Sequence, residues 1–162
     1  MKKTDAPAVA SIQVRAWRKA YATIIDSAYL SSLNVEKKII DWQTGMEVND
    51  DVTRLLVCKN QKVLGFAVGL ENRDSIEDAD AELAAIYIDP DHWNKRLGGK
   101  LFLKMEDEFR IKGFRSYFVW VLEENFLARR FYEKRGGKIL PQRKAITLNR
   151  ISYPVVSYLF KL

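Results

Sequence analysis

A chain of 162 residues, 48% hydrophobic, 12% aromatic and 30% charged, can bury a substantial core and lacks the bias of a disordered segment, so a single domain spanning residues 1–162 is expected. One cysteine, Cys58, and one histidine, His92, exclude a disulfide framework and a histidine- or cysteine-rich metal site within one chain, and no apolar window is long enough to span a bilayer. The formal net charge of +6 favours an anionic partner and works against polycationic ones.

Met1 to Asp5 form a polar start without the apolar stretch of a secretory signal, which points to a cytoplasmic protein. After Asp5, a helix N-cap, Val9, Ile12, Ala16 and Ala20 recur at three- and four-residue steps with Trp17 beside the stripe, as an amphipathic helix requires. Ser31 to Met46 reads as a second helix with Val35, Ile39, Ile40 and Trp42 on its apolar side. "TRLLVCKN" and "KVLGFAVGL" are strand-like runs about an Asn60-Gln61 turn, with Cys58 a small buried strand residue. Asp74 to Asp80 is an acidic loop, and "AELAAIYID" is a third strand ended by Pro90.

From Gly98 to Lys112, Leu101, Phe102, Met105 and Phe109 keep helical spacing, Gly113 is a left-handed stop, and "RSYFVWVL" follows as a strand. A strand, a helix and a strand in that order make a right-handed crossover between parallel neighbours. Asn125 caps a helix running through Arg135, Gly136 and Gly137 end it, and strands near Gly137 to Leu140 and Tyr153 to Lys161 finish the chain. The expected class is α+β, an antiparallel meander that turns parallel at its centre. Open sheets bind ligands at strand carboxyl ends where the strand pattern changes, which is where the Pro90 to Leu97 loop lies.

That loop, within "PDHWNKRLGGKLF", presents the N–H groups of a helix start together with Lys95, Arg96 and Lys100. A helix start alone contributes about 0.3 to 2 kcal/mol to holding an anion, so several groups must act together; otherwise the loop is a solvated turn. Further on, Asn125, Ala128 and Tyr132 are spaced three and four apart, so one helical face carries an amide, a small residue and a phenol.

From Val14 onward the chain resembles the GNAT-type N-acetyltransferases, which move an acetyl group from acetyl-coenzyme A to an amine. "VRAWRKAYATIIDSAYLSSLNVEKK" is similar to their opening helices and "VLGFAVGL" to their third strand. "AELAAIYIDPDHWNKRLGGKLF" is similar to the central strand, pyrophosphate loop and helix, and "VLEENFLARRFYEKRGGKIL" to the following strand end, helix and tail. The resemblance implies a mixed, mostly antiparallel sheet with a splayed parallel central pair and helices on both faces. The strand that usually precedes the first helix is short or missing here.

For the cofactor, the resemblance implies that the main chain of Ile86, Tyr87 and Ile88 pairs with the pantetheine amides. It places the pyrophosphate on Asn94, Lys95, Arg96, Leu97, Gly98, Gly99 and Lys100. Asn125, Ala128, Phe131 and Tyr132 match the family's N-x-x-A-x-x-F-Y helix. The family's loop wants Gln or Arg, Gly, and Gly or Ala at positions 93, 96 and 98, where this chain has Trp93, Arg96 and Gly98. Because main-chain N–H groups make most such contacts, the loop either takes a negative φ at Arg96 or binds more weakly than a standard one.

An alkylamine with a pKa near 10.4 is protonated at pH 7, so a base must free its lone pair, and the thiolate expelled from the tetrahedral oxyanion benefits from an acid. The resemblance makes Tyr132 the acid and Glu82 the base, directly or through water. It sets Tyr21 and Tyr29 near the acceptor, with Trp17 as core. The implied partner is a small-molecule or peptide amine, without nucleic acid, membrane or metal, and relatives are often homodimers. The altered loop leaves open a non-catalytic module that binds acetyl-coenzyme A. A nucleic-acid-binding domain lacks the stacking sheet or recognition helix it would need.

Overall fold

The computed structural model describes residues 1–48 and 51–162. Helices α1 (Ala6–Ala20), α2 (Ser27–Ser32) and α3 (Val35–Val48) precede strands β1 (Thr53–Lys59), β2 (Lys62–Glu71) and β3 (Ala81–Ile88). Helix α4 (Leu97–Ile111) leads to β4 (Ser116–Leu122), α5 (Phe126–Glu133), β5 (Lys138–Leu148) and β6 (Ile151–Lys161). The strands form one sheet in the order β1-β2-β3-β4-β6-β5, in which β3 and β4 are parallel and all other neighbours antiparallel. The expected mixed sheet is therefore present, and no strand precedes α1 among the described residues.

The helix expected over Ser31 to Met46 is two helices. Leu33 turns extended after α2, and the Asn34 side chain accepts from the Lys37 N–H at 2.7 Å, restarting the chain as α3. Arg18 of α1 ties this corner by donating to the carbonyls of Leu30, Ser31 and Leu33 at 3.1, 3.3 and 2.8 Å. Restarting the helix also changes its facing: Ile40, expected on the apolar side, is 62% exposed, while Trp42 packs edge-on against Phe66 at 5.2 Å. Asp5 does stand at the N-cap of α1, but its carboxylate turns back to accept from the Lys2 N–H at 2.6 Å.

Asn60 and Gln61 both have positive φ, 49° and 63°, as a two-residue hairpin turn of the right twist requires. The pairing slips between Val57 and Cys58, where Leu64 is the extra residue of β2, and beyond this bulge Cys58 on the edge strand β1 is exposed rather than buried. At the other edge, β5 runs well beyond the expected Leu140. Pro141 lies where the β5–β6 register shifts between Ile139 and Arg143, so the edge strand absorbs a residue that cannot donate to the ladder. Helix α5 ends at Glu133, short of Arg135, with Gly136 at φ 85° closing it.

A bulge also decides which residues meet the site. Val68 pairs Ala85 and Gly69 pairs Leu83, so Ala84 is the extra residue of β3. Leu83 packs on the α4 side, and past the bulge Ile86 and Ile88 keep to that side while Ala85 and Tyr87 join the core beneath α1. The sheet is thus covered by α4 and α5 over one core, and by α1 and α3 over the other. Among the described residues no helix is long and apolar enough to cross a membrane.

Candidate active site

Strands β3 and β4 pair only at Ala81–Tyr117 and Glu82–Phe118. Beyond that point β3 stays with β2 as far as Ile88 and β4 stays with β6 as far as Leu122, so a wedge opens between them. The far end of β3 is held toward α1. The Asp89 N–H donates to the Leu64 carbonyl at 2.8 Å, and Arg15 of α1 pairs with Asp89 at 2.9 Å and Asp91 at 2.7 Å. Arg15, through its hydrogen bond and its charge, holds the Asp91 carboxyl below the usual carboxylate range. The β4-facing main chain of β3 is left without a strand partner, as the expected role of Ile86, Tyr87 and Ile88 demands.

The loop from Pro90 to Arg96 closes the wedge. Asp89 caps its first turn by accepting from the Asp91 N–H at 3.0 Å, and Lys95 is tied down to the Asp91 carbonyl at 3.0 Å. The Trp93 indole N–H donates to the Ile88 carbonyl at 2.8 Å, so one of the three expected main-chain partners is occupied by the loop itself. Asn94 and Arg96 both have φ of 61°, and Arg96 is the left-handed residue immediately before α4. The negative-φ path at Arg96 is thereby excluded: the arginine adopts the glycine conformation at a cost of about 1 kcal/mol or more.

The first-turn N–H groups of Leu97, Gly98 and Gly99 have no intrahelical acceptor, and Lys100 is exposed one turn behind them. Gly98 faces Ile88 and Phe131 with room for a Cβ, 3.7 Å from each. At Gly99 a Cβ would lie 2.7 Å from Nη2 of Arg135, so the guanidinium would have to move aside. An open strand edge, free helix-start N–H groups and this glycine pair fit a long ligand with amides along it and phosphate at its end.

Three phenols meet at the wedge from three elements. Tyr132 of α5 is buried, packed against Phe102, Tyr158 and Phe160, and its hydroxyl has no hydrogen-bond partner among the described residues. Burial, and then the nearby Tyr87, push its pKa up, while Arg135 pulls it down. Tyr87 is raised by burial against the opposing pull of Tyr21 and the Trp17 indole. Tyr21, which ends α1, is raised by burial and then by Tyr87 and Tyr132. Trp17 stacks edge-on with Tyr21 at 5.2 Å and lies 6.4 Å from Tyr29, and its buried Nε1 lacks a partner of good hydrogen-bond geometry.

Asn125 accepts from the Ala128 N–H at 3.1 Å, so its side-chain oxygen caps α5. Phe131 lies edge-on to Phe102 at 5.7 Å and carries the Arg135 guanidinium 3.6 Å above its ring. Glu82 sits apart, at the closed end of the wedge. It is 5% exposed, and one of its oxygens, Oε2, receives both Nε and Nη2 of Arg73 at 3.0 and 2.9 Å. A cleft of about 470 Å³ lined by Trp42, Leu70, Glu71, Arg73 and Ala84, among others, opens on that side.

Residue types alone did not mark the Tyr87 side chain, Trp93 as a groove seal, or Arg135. Tyr87 could have been found from a bulge in β3, which sequence does not display, and Arg135 from its place one turn after Tyr132, just beyond the end of α5.

The sequence pattern of the acetyltransferase (GNAT) family matches residues 11–137. The chain is 32% identical over 126 residues to the uncharacterized N-acetyltransferase YuaI of Bacillus subtilis (strain 168), covering 76% of this chain and 70% of that protein. It is 26% identical to the spermidine N(1)-acetyltransferase of Thermoplasma acidophilum, covering 83% of each. In three dimensions it is similar to the PaiA N-acetyltransferase from Thermoplasma acidophilum in complex with coenzyme A, with a TM-score of 0.76, 20% identity, and 100% of this chain and 96% of that one covered. This chain belongs to the acetyltransferase (GNAT) family, an acyltransferase that draws on acetyl-coenzyme A.

Proposed function

We propose that the chain acts as one domain, residues 1–162, and transfers the acetyl group of acetyl-coenzyme A to a primary amine of a small molecule or peptide by direct attack in a ternary complex. The observation that carries this is the parting of β3 from β4 beyond Glu82 and Phe118, with the Tyr132 phenol beneath the gap. Acetyl-coenzyme A supplies an activated thioester. The main chain of Ile86 and Tyr87 orients it, the Asn94 to Lys100 segment holds its phosphates, and Ala128 and Phe131 shape the wall. Tyr132, kept protonated by burial, gives its proton to the departing sulfur.

Glu82 receives the amine's proton through Oε1, which has no partner among the described residues because Arg73 uses only Oε2. Four residue steps along β3 lead from Glu82 to Ile86, about 13 Å, so this transfer runs through water. Tyr21 and Tyr29 line the acceptor's entry. The net charge of +6 favours an acceptor with one ammonium over a polycation of the spermidine kind. The free, exposed Cys58 thiol suits a reducing compartment, the cytoplasm.

The departures at Trp93 and Arg96 favour the second reading, a module that binds acetyl-coenzyme A without turnover. Thermal shift with acetyl-coenzyme A and a set of amines tests the first. A melting temperature raised by the thioester, and raised further by an amine with coenzyme A, supports it; no response to acetyl-coenzyme A ends it.

A further inference from the structure

Arg135 stands where a cation should not. Its Nη2 lies 2.7 Å from where a Gly99 Cβ would be, directly at the first turn of α4. A helix start carries partial positive charge and attracts anions, so a guanidinium parked there is repelled. Among the described residues no carboxylate pairs with it. Glu106, whose field reaches it, is hydrogen-bonded to the Tyr117 hydroxyl at 2.8 Å. The side chain is nevertheless held in place: Nη1 donates to the Phe131 carbonyl at 3.1 Å, and the guanidinium lies over the Phe131 ring at 3.6 Å. Gly99 is the residue that admits it. The remaining donors of this exposed but fixed guanidinium, facing N–H groups that lack an intrahelical acceptor, describe two halves of an anion clamp.

We propose that Arg135 is a phosphate ligand of the cofactor site, gripping the diphosphate of coenzyme A between its guanidinium and the first-turn N–H groups of α4. This rests on the cofactor assignment above and adds to the loop a charge from α5's tail, which offsets the loop's departures at Trp93 and Arg96. The same chemistry could come from the ribose 3′-phosphate, and the test separates the two.

Binding of coenzyme A and of 3′-dephospho-coenzyme A is measured by calorimetry, without any amine, on the wild type, Arg135→Leu and Gly99→Ala. Arg135→Leu is expected to weaken both ligands about tenfold or more. Gly99→Ala, whose Cβ displaces the guanidinium, is expected to weaken both in the same way. A loss confined to coenzyme A itself would overturn the diphosphate assignment in favour of the 3′-phosphate. Affinity within twofold of wild type in Arg135→Leu would overturn the inference altogether while leaving acetyl transfer standing. A wild type that binds neither ligand would instead sink the cofactor reading on which it rests.

Discussion

Arg73 grips Glu82 through a single carboxylate oxygen, with Nε and Nη2 at 3.0 and 2.9 Å from Oε2, at the point where β3 and β4 are still paired. The pair neutralises a buried charge while leaving Oε1 without a partner among the described residues. Glu82→Gln keeps the shape and removes the basicity. It is expected to lower kcat/KM for amine acetylation about a hundredfold and to leave coenzyme A affinity unchanged. Equal turnover in the variant would remove Glu82 from the mechanism.

Tyr132→Phe deletes a hydroxyl that makes no hydrogen bond among the described residues, so it should leave the melting temperature nearly unchanged. Its kcat should fall about a hundredfold, with coenzyme A binding intact, as steady-state kinetics beside calorimetry would show. A kcat equal to that of the wild type would leave Tyr132 a packing residue.

Tyr21, Tyr87, Tyr117 and Tyr132 all have folded pKa values raised above the ordinary value near 10, chiefly by burial. For a raised pKa the stabilisation is complete below the unfolded value and is lost as pH rises through the folded one. Melting temperature should therefore decline steeply above about pH 10, and an alkaline limb that is flat to pH 11 would contradict the burial of these phenols.

Asp80 accepts from the Arg115 and Ser116 N–H groups at 2.7 and 3.1 Å, and these bonds, Arg115's first, hold its pKa below the ordinary carboxylate range. A depressed pKa contributes stability above the unfolded value, near 3.9, that is lost as pH falls through the folded one. Asp80→Asn should lower the melting temperature at pH 7 and flatten its decline below about pH 4. Thermal melts from pH 2 to pH 7 check this.

Arg96→Gly relieves a left-handed arginine, φ 61°, and should stabilise the protein by a few tenths to about 1 kcal/mol after the entropy cost of glycine. Because the loop already follows the left-handed path, coenzyme A affinity should stay within about threefold. A tenfold loss would show that the Arg96 side chain grips phosphate.

Much of this was legible in the residues. The Asn60-Gln61 hairpin, the β3 to β4 crossover and the Asn125 cap follow from local turn chemistry and periodicity. What was hidden depends on bulges and corners. Asn34 reads as an ordinary helix-surface residue until Leu33 turns extended. Pro141 reads as a strand breaker unless an edge bulge absorbs it, and the Asn149-Arg150 turn, with φ of 48° and 66°, puts an arginine where glycine is usual. In the site, the side of the sheet that Tyr87 takes is set by the bulged Ala84. Arg135 matters only because Gly99, from a distant part of the sequence, leaves space for it.

The central claim is amine acetylation in a ternary complex, and thiol release from acetyl-coenzyme A, followed as initial rates while both the thioester and a series of primary amines are varied, tests it most directly. Amine-dependent release with intersecting double-reciprocal lines, lost in Tyr132→Phe, is the predicted result. Tight binding of acetyl-coenzyme A with no amine-dependent release, unchanged by Tyr132→Phe, would contradict it.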